Sequence, residues 1–455
     1  MRAPVRILAR LVALIAALQL AVQPVAAQSV LRDAETEKLL QDMVDPLAEA
    51  AGLGKGAVEI VLLQDNSINA FVAGGQRIYV HSGLINAADS ANEVQGVMAH
   101  ELGHITGGHI IRSSEGIQQA TNITIVSLLL GVAAIAAGAG EAGMGILAAG
   151  QQAAMGKYLA FNRAQESSAD AAGVEYLSKA GISGRGSIEF FKKLQNLEFR
   201  YGISQDDDAA FSRTHPLTGD RIANLERDYE RDPAWNKPSD AGLEERFQRA
   251  KAKLYGYLAK PQDTLRAYPA TMTGIPARYA RAYAYHKDAQ VDKALAETKA
   301  LVEADPEDPY FLELEGQILL ESGRPRDAID PLREATRLTG NAPLIATTFG
   351  HALIATEEPT NYAEAEAVLK AAVTKDRYNP FAWYQLGVVY AARGDMPRAR
   401  LASAEQQSMS GQMADAMRSA EAAEKGLPEG SSDWLRAQDI AMTAKAELER
   451  QKKRK

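Results

Sequence analysis

The sequence contains no cysteine among its 455 residues. Disulfides, thiolate metal ligands, a cysteine nucleophile and a lipid anchor on an N-terminal cysteine are therefore excluded. Histidine is scarce as well, at seven residues, so a metal site here must combine histidines with carboxylates. Basic residues are not in excess: the net charge of -8 argues against nucleic acid as a partner.

What is present is typical of a folded protein. With 46% hydrophobic and 24% charged residues, the chain can bury a sizeable core and should form two or three domains. Its N-terminus has three arginines within ten residues, an apolar run over 11–22, and small residues at Val25 and Ala27. This pattern predicts a secretory signal over 1–27 that is cleaved after Ala27. The alternative is an uncleaved membrane anchor, for which the apolar run is short.

Hydrophobic patterning beyond the signal predicts a small sheet beside helices. Helical spacing of apolar residues alternates with short runs rich in Val, Ile and Leu, bounded by turn residues such as Gly74-Gly75. The predicted elements are a helix over 29–51, strands over 57–63 and 77–80 with 69–72 between them, and a helix over 91–109.

The helix over 91–109 contains an HExxH motif, His100-Glu101-Leu102-Gly103-His104. Residues at i and i+4 lie one above the other on a helix, so both imidazoles can reach one metal ion. Glu101 can then act as a general base towards an activated water. A chain with seven histidines would show this motif by chance on the order of once in a hundred times, so it needs support from elsewhere.

That support comes from two carboxylates further along the chain. Glu166 and Asp170 are again four residues apart and share one helix face. Glu166 can complete a His₂Glu site, and Asp170 can accept a hydrogen bond from a ligand imidazole. An exposed acidic helix is the alternative, and only the upstream motif favours the ligand interpretation over it.

The combined pattern resembles the HExxH gluzincin peptidases, which include HtpX, the CAAX prenyl proteases and the periplasmic BepA proteases. The resemblance covers roughly residues 30–230. It implies one Zn²⁺ per chain held by His100, His104 and Glu166, with Glu101 as the catalytic base. The matching residues are Asn69-Ala70-Phe71 with Gly74-Gly75, Ala99 to His104, Arg163, Glu166, Ala169 and Asp170.

Two further histidines and an arginine are candidates for roles at this site. The resemblance implies that His215, in Thr214-His215-Pro216, is a fourth, displaceable ligand that closes the site and can assist catalysis when it swings aside. The alternative is a solvent-facing loop histidine. His109, five residues past His104, should turn away from the ion and support the site from outside, as should Arg163.

The resemblance also implies a mode of substrate binding. Asn69, Ala70 and Phe71 would form an edge strand beside the zinc, to which an extended, unfolded peptide adds by main-chain hydrogen bonds. The alternative is an interior strand with no free edge.

No charged residue occurs from Gly116 to Gly140, a stretch long enough to span a bilayer. Interspersed polar residues and many Gly and Ala residues favour instead a helical hairpin on a soluble enzyme. We therefore expect at most peripheral membrane contact through residues 116–156, with a membrane-embedded protease as the alternative.

A sequence repeat follows, and its period of about 34 residues is that of tetratricopeptide repeats. Gly316, Gly350 and Gly387 keep constant offsets from alanines and prolines, with three extra residues near the loop 357–361. The repeat therefore predicts a tetratricopeptide array, which offers a concave surface for proteins. A generic Ala-rich helical bundle, the alternative, does not explain the offsets.

The predicted protein is mainly α with a small β-sheet: a signal peptide over 1–27, a gluzincin metalloprotease domain over 28–235 and a tetratricopeptide-repeat domain over 236–455. The expected function is periplasmic zinc-dependent endopeptidase action on misfolded or stalled outer-membrane proteins in a Gram-negative cell. Its expected partners are unfolded protein substrates and, through the repeats, outer-membrane assembly machinery. The rival is a mainly non-proteolytic chaperone or scaffold in the same process.

Overall fold

The structure is a computed structural model, and it describes residues 29–137, 139–201, 215 and 219–454. The predicted signal sequence and its cleavage site at Ala27 lie outside these residues. Within the described residues, four short strands form one mixed sheet and the other regular elements are helices. The fold is mainly α with a small sheet, as the sequence predicts.

The first part of the chain places short strands between helices and ends in a long helical hairpin. Its elements are β1 (Ser29–Leu31), α1 (Ala34–Ala50), β2 (Glu59–Gln64), β3 (Ala70–Val72), β4 (Arg77–His81), α2 (Ser82–Ala87), α3 (Ala91–Thr106), α4 (His109–Ala136), α5 (Gly140–Ala180), α6 (Arg185–Tyr201) and α7 (Gly219–Glu230).

Strand β1 was not predicted, because residues 29–51 were expected to form one helix. Asp33 caps α1, and its side chain accepts a hydrogen bond of 2.7 Å from the amide of Thr36. The capping residue has an extended backbone, so the helix begins after it and the preceding residues are free to pair with β2.

The sheet has the order β1-β2-β4-β3. Strands β2 and β4 are parallel, while β1 and β3 each pair antiparallel with an inner strand. Among the described residues, β1 and β3 are therefore the two edges, which agrees with the edge strand expected at Asn69-Ala70-Phe71.

The motif helix α3 lies at the centre of the first part of the fold. Its residues from Ala91 to His104 are all buried, so the amphipathic helix of the sequence prediction is surrounded by protein on every side. Its polar residues are buried because they find partners. Asn92 donates a hydrogen bond of 2.8 Å to the Ser183 carbonyl, and Glu93 pairs with Lys193 at 2.7 Å.

Helix α5 packs closely on α3 because Gly103 has no side chain. A Cβ atom at Gly103 would lie 2.6 Å from the carbonyl oxygen of Ala169. Any larger residue would push the two helices apart. This close approach brings the predicted ligand helix, with Glu166 and Asp170, against the HExxH motif.

Helices α4 and α5 form an antiparallel hairpin whose outer half is largely exposed. Gly131 packs against Leu147, and Gly150 packs against Ser127, so small residues let the two helices approach closely. Helix α4 is long and apolar enough to cross a membrane, and few of its residues are buried. The described hairpin thus matches the predicted hairpin and leaves its apolar side chains without protein cover.

The second part of the described chain is a series of helix pairs. Gly316 faces Leu332 of the next helix and Gly350 faces Leu369, so each repeat glycine admits its partner helix, as expected for tetratricopeptide repeats. The helices are α8 (Ala241–Leu258), α9 (Pro261–Ala267), α10 (Ile275–Lys287), α11 (Val291–Ala304), α12 (Pro309–Glu321), α13 (Pro325–Leu338), α14 (Pro343–Ala355), α15 (Tyr362–Lys375), α16 (Pro380–Ala392), α17 (Met396–Met409), α18 (Met413–Glu424) and α19 (Ser432–Arg454), with a short 3₁₀ turn at Pro359–Asn361.

Candidate metal centre

Four buried side chains come together beside α3 and α5: those of His100, His104, Glu166 and His215. Nε2 of His100 lies 3.2 Å from Nε2 of His104 and 3.2 Å from Nδ1 of His215. A carboxylate oxygen of Glu166 lies 3.1 Å from Nδ1 of His215, and its carboxylate is 3.4 Å from each of the other two rings. One ligand atom from each of the four residues can therefore surround a common point.

The spacing of these atoms suits a small, four-coordinate metal ion. Ligand atoms at the usual zinc bond lengths of about 2.0–2.1 Å would be roughly 3.3 Å apart around a tetrahedron. The distances from His100 to the other two rings, and from the Glu166 carboxylate to all three rings, run from 3.1 to 3.4 Å, and one ligand atom from each of the four residues lies within 4.8 Å of the others. Ring nitrogens that face each other this closely need a shared proton or a shared cation, so the donor set fits a metal.

Asp170 and Arg221 contact the cluster residues His100 and Glu166 through hydrogen bonds and ion pairs. Nδ1 of His100 lies 2.9 Å from Oδ1 of Asp170, so this imidazole donates there and turns its Nε2 lone pair towards the cluster. Arg221, on α7, donates to both carboxylate oxygens of Asp170 and also lies 3.0 Å from Glu166. Burial alone would raise the pKa of Asp170, but its hydrogen bonds from Arg221 and His100 hold that pKa below its usual value.

His109 supports the second ligand, although for a different reason from the predicted one. The motif helix ends at Thr106, and Gly108, with φ of 62°, reverses the chain so that α4 begins at His109. Nδ1 of His109 then lies 2.9 Å from Nδ1 of His104. The prediction of a continuous helix to His109 is wrong, and this ring turns towards the ligand.

Glu101 lies beside the cluster and has no hydrogen bond to the described residues. Its side chain is 1% exposed, and burial raises the pKa of its carboxyl to about 7. Nε2 of His215 is 3.4 Å from Oε1 of Glu101. His215 therefore contacts both the metal-binding cluster and the candidate base.

Three histidines and a glutamate in this arrangement can hold a metal ion, and comparison with known families supports a metal-dependent peptidase. The model of peptidase family M48 matches residues 34–228, which include all four cluster residues. Residues 34–228 form an M48 peptidase domain. The chain is accordingly a metallopeptidase.

The chain is similar to known proteins over different parts of its length. The beta-barrel assembly-enhancing protease of Escherichia coli (strain K12) is 25% identical over 378 residues, which cover 82% of this chain and 75% of the relative. Metalloprotease LoiP of the same strain is 32% identical over 163 residues, which cover 35% of this chain and 57% of the relative. The crystal structure of YrrB, a TPR protein with an unusual peptide-binding site, covers 38% of this chain and 91% of its own, with 20% identity and a TM-score of 0.32.

The predicted substrate strand lies at one edge of the M48 domain's sheet. Strand β3 pairs only with β4 among the described strands, and α3 packs against it. Asn69 is buried and its carbonyl accepts a hydrogen bond of 3.0 Å from the His81 amide, while Ala70 is almost fully buried and Phe71 stacks on Tyr79. These contacts fix the strand beside the motif helix, and no other described strand pairs with its far side.

Arg221, and not the expected Arg163, contacts the residues of the cluster. Arg163 was expected to support the ligands, but it lies on an exposed face of α5, one turn before Glu166. Arg221 supports them instead. No motif in the sequence assigned a role to Arg221, which lies in the first turn of α7.

Proposed function

We propose that this chain is a periplasmic, zinc-dependent endopeptidase that hydrolyses misfolded or stalled outer-membrane proteins. The observation that carries the proposal is the buried His-His-Glu-His cluster with Glu101 beside it. The location and the substrate class are supported by the relative named beta-barrel assembly-enhancing protease. A signal sequence over 1–27 is consistent with export.

The residues of the M48 domain can divide the work of peptide hydrolysis. His100, His104 and Glu166 would hold Zn²⁺, because nitrogen and carboxylate donors at tetrahedral spacing are the set that zinc prefers. Bound zinc supplies Lewis-acid polarisation of the scissile carbonyl and acidifies a water. Glu101 takes the proton from the attacking water and returns it to the leaving amine, with its carboxyl held in place by burial.

His215 would regulate this chemistry as a displaceable ligand. Its two ring nitrogens contact the cluster and Glu101 at the same time, so a ring in this position fills the space that water and a scissile carbonyl need. A substrate or partner that moves His215 would open the site, at which point its imidazole can assist the reaction.

Substrate would bind as an added strand along β3. An open sheet edge offers main-chain donors and acceptors to any extended segment, which gives low sequence preference and selects unfolded proteins. The repeats would hold partners from the outer-membrane assembly machinery, and the apolar hairpin over 116–156 would touch a membrane surface without spanning it.

The test combines metal analysis with casein hydrolysis for the chain expressed from Gln28. We expect one zinc per chain, a loss of hydrolysis of roughly 10²-fold or more in Glu101→Gln with zinc retained, and raised hydrolysis in His215→Ala. The matched control is Glu115→Gln, a carboxyl on the exposed part of α4, which should behave as wild type. A chain without zinc, or hydrolysis that ignores Glu101, would contradict the proposal.

The non-proteolytic rival is separated by the same Glu101→Gln variant. This change leaves the cluster, the sheet edge and the repeats in place. Outer-membrane assembly defects that appear with Glu101→Gln would be due to lost proteolysis. Assembly functions that Glu101→Gln retains would be due to binding by the cleft and the repeats.

A further inference from the structure

A cavity of about 780 Å³ lies between the sheet edge β1 and the repeats. It is on the opposite edge of the sheet from the substrate strand β3. Its walls come from strand β1 on one side, through Ser29, Val30 and Leu31, and from the first helices of successive repeats on the other. It is therefore a site formed by both parts of the chain.

The repeat wall of the cavity is built from equivalent positions of successive repeats. Tyr283, Gln317 and His351 all line it, and each is one repeat period from the next. Glu313 and Thr347 are also one period apart and lie one turn earlier on α12 and α14. The side chains thus form parallel rows across neighbouring helices, an arrangement that suits a linear ligand.

The rim of the cavity exposes large apolar side chains from three different elements. Val30, Tyr257 and Phe381 are 52%, 49% and 46% exposed, and all three line the cavity. Convergence of half-exposed apolar groups on one concavity is typical of a binding site rather than of ordinary surface.

The cations that line the cavity are paired, whereas one buried carboxylate oxygen is not. The lysine and the arginine that line it are paired with carboxylates of the chain: Lys253 with Glu35 and Asp33, and Arg32 with Asp376. Oε2 of Glu313, by contrast, is buried and has no hydrogen-bond partner among the described residues. Burial raises the pKa of Glu313 to about 8, so a donor brought to this carboxyl would relieve a desolvated group.

Strand β1 supplies a main-chain template beside these side chains. It pairs with β2 on one side, and on its other side no strand is present in the described part of the chain. Open strand edges bind extended peptides through backbone hydrogen bonds, with side-chain pockets giving the selectivity.

We propose that this cavity docks an extended segment of a protein partner, which places large apolar or aromatic side chains against Val30, Tyr257 and Phe381 along its length and a lysine or arginine that reaches Glu313 between them. The segment lies along β1 and crosses the rows of repeat side chains. Docking here is separate from cleavage, because the cavity and the metal centre are at different edges of the sheet. The inference extends the proposed role of the repeats, but it does not depend on proteolysis.

The test uses phage-displayed random dodecapeptides selected on the chain expressed from Gln28 with Glu101→Gln, which binds without cutting. We expect enriched peptides that combine aromatic or large aliphatic residues with a lysine or arginine. A synthetic peptide of the enriched sequence should bind at least tenfold more weakly to Phe381→Ser and several-fold more weakly to Glu313→Gln. Both positions tolerate these changes, since Phe381 is half exposed and glutamine keeps the shape of glutamate.

Tyr378→Ser is the matched control, because Tyr378 is an aromatic residue 79% exposed just before the same helix and does not line the cavity. It should bind the peptide as the parent chain does. Equal affinity for Phe381→Ser and Tyr378→Ser, or no enrichment of any peptide, would overturn the proposal. So would self-association of the chain that Phe381→Ser abolishes, since the occupant would then be a second copy. If the wild-type chain did not hydrolyse casein, only the proposed proteolytic function would be contradicted.

Discussion

Arg221 connects the carboxylates that surround the metal cluster. Its guanidinium pairs with Asp170, lies 3.0 Å from Glu166 and approaches the His100 ring at 3.4 Å. A planar guanidinium can bind both oxygens of Asp170 and still reach Glu166 in a fixed geometry, whereas an ammonium group lacks this bidentate fork. The side chain therefore fixes the orientation of a ligand and of the residue that orients another ligand.

We expect Arg221→Lys to weaken zinc binding by roughly 10- to 100-fold, because groups that orient metal ligands commonly contribute that much. Competition with a chromophoric chelator would measure the affinity. Arg163→Lys is the matched control, because Arg163 is exposed on α5. This variant should bind zinc as tightly as wild type does. Equal affinities for the two variants would mean that Arg221 has no role at the site.

At this scale the sequence predicts residues whose partners are near in the chain. His100 and His104 share a helix face, as do Glu166 and Asp170, so helix geometry alone pairs them. Arg221 lies 51 residues from Asp170 and 121 from His100. A lone arginine on a polar helix is normally solvated, so only the folded chain shows which arginine reaches the ligands.

The α4–α5 hairpin exposes many apolar side chains instead of burying them against the rest of the described chain. Leu128, Leu129 and Leu130 are 53%, 66% and 57% exposed, and the stretch around them lacks charge. Exposed leucines at this density cost solvation free energy in water, which an apolar surface would recover. The two helices contact each other closely at Gly131 and Gly150.

A charge placed on the hairpin should weaken membrane contact. Burying one leucine is worth about 1.5–3 kcal/mol, so we expect Leu129→Lys to reduce binding to phosphatidylethanolamine–phosphatidylglycerol vesicles by roughly tenfold. Leu435→Lys, on the exposed side of α19, should bind as wild type. Vesicle co-sedimentation measures the bound fraction. No binding by wild type would contradict the contact, and resistance to carbonate extraction would indicate a spanning hairpin.

The sequence predicts helices and repeats where apolar residues recur at a regular spacing. It predicts the ends of these elements less well. The hairpin, the motif helix and the repeats follow from apolar spacing and from a constant period. The end of the motif helix at Thr106 depends on the positive φ of Gly108, and β1 depends on pairing with β2. A hydrophobic pattern reveals neither a positive φ nor a strand pairing. The sequence prediction therefore extended the motif helix to His109, which in the structure begins α4.

The two parts of the molecule are joined by a buried ionic network. Lys253 of α8 pairs with Asp33 and Glu35 at the start of α1, and Arg249 bridges Glu35 to Asp308 of the repeats. The hydroxyl of Tyr279 donates a hydrogen bond of 2.7 Å to Glu35. The cavity proposed for docking lies over this network, so the network sets how the sheet edge faces the repeats.

Such a network could not be predicted from the sequence, because its members are far apart in the chain and belong to different domains. Lys253 and Glu35 are separated by 218 residues. Charged residues are usually solvated, and only the fold shows that these two are buried. The tetratricopeptide period predicts a concave surface, whereas the surface that faces it depends on this contact between domains.

Replacing Lys253 tests whether the network stabilises the whole molecule. Lys253→Met leaves buried carboxylates without their cation, and we expect a loss of about 3 kcal/mol in the free energy of unfolding. Denaturant unfolding of the chain measures it. Lys299→Met removes an exposed lysine of α11 and should change the free energy by less than about 0.5 kcal/mol. Equal stability of the two variants would show that the ionic contacts contribute nothing net.

The pH dependence of unfolding provides an independent check on the same network. Burial alone would raise the pKa of Asp33, but Lys253 and the Thr36 amide lower it below the ordinary value of 3.8. A carboxyl with a lowered folded-state pKa stabilises the fold at pH values above 3.8, and that contribution is lost as the pH falls through the folded-state pKa. Wild type should therefore lose stability on acidification, and Lys253→Met should lose less over the same interval, because the cation that lowers this pKa is gone. An identical loss in both chains would place the acid-sensitive contacts elsewhere in the molecule.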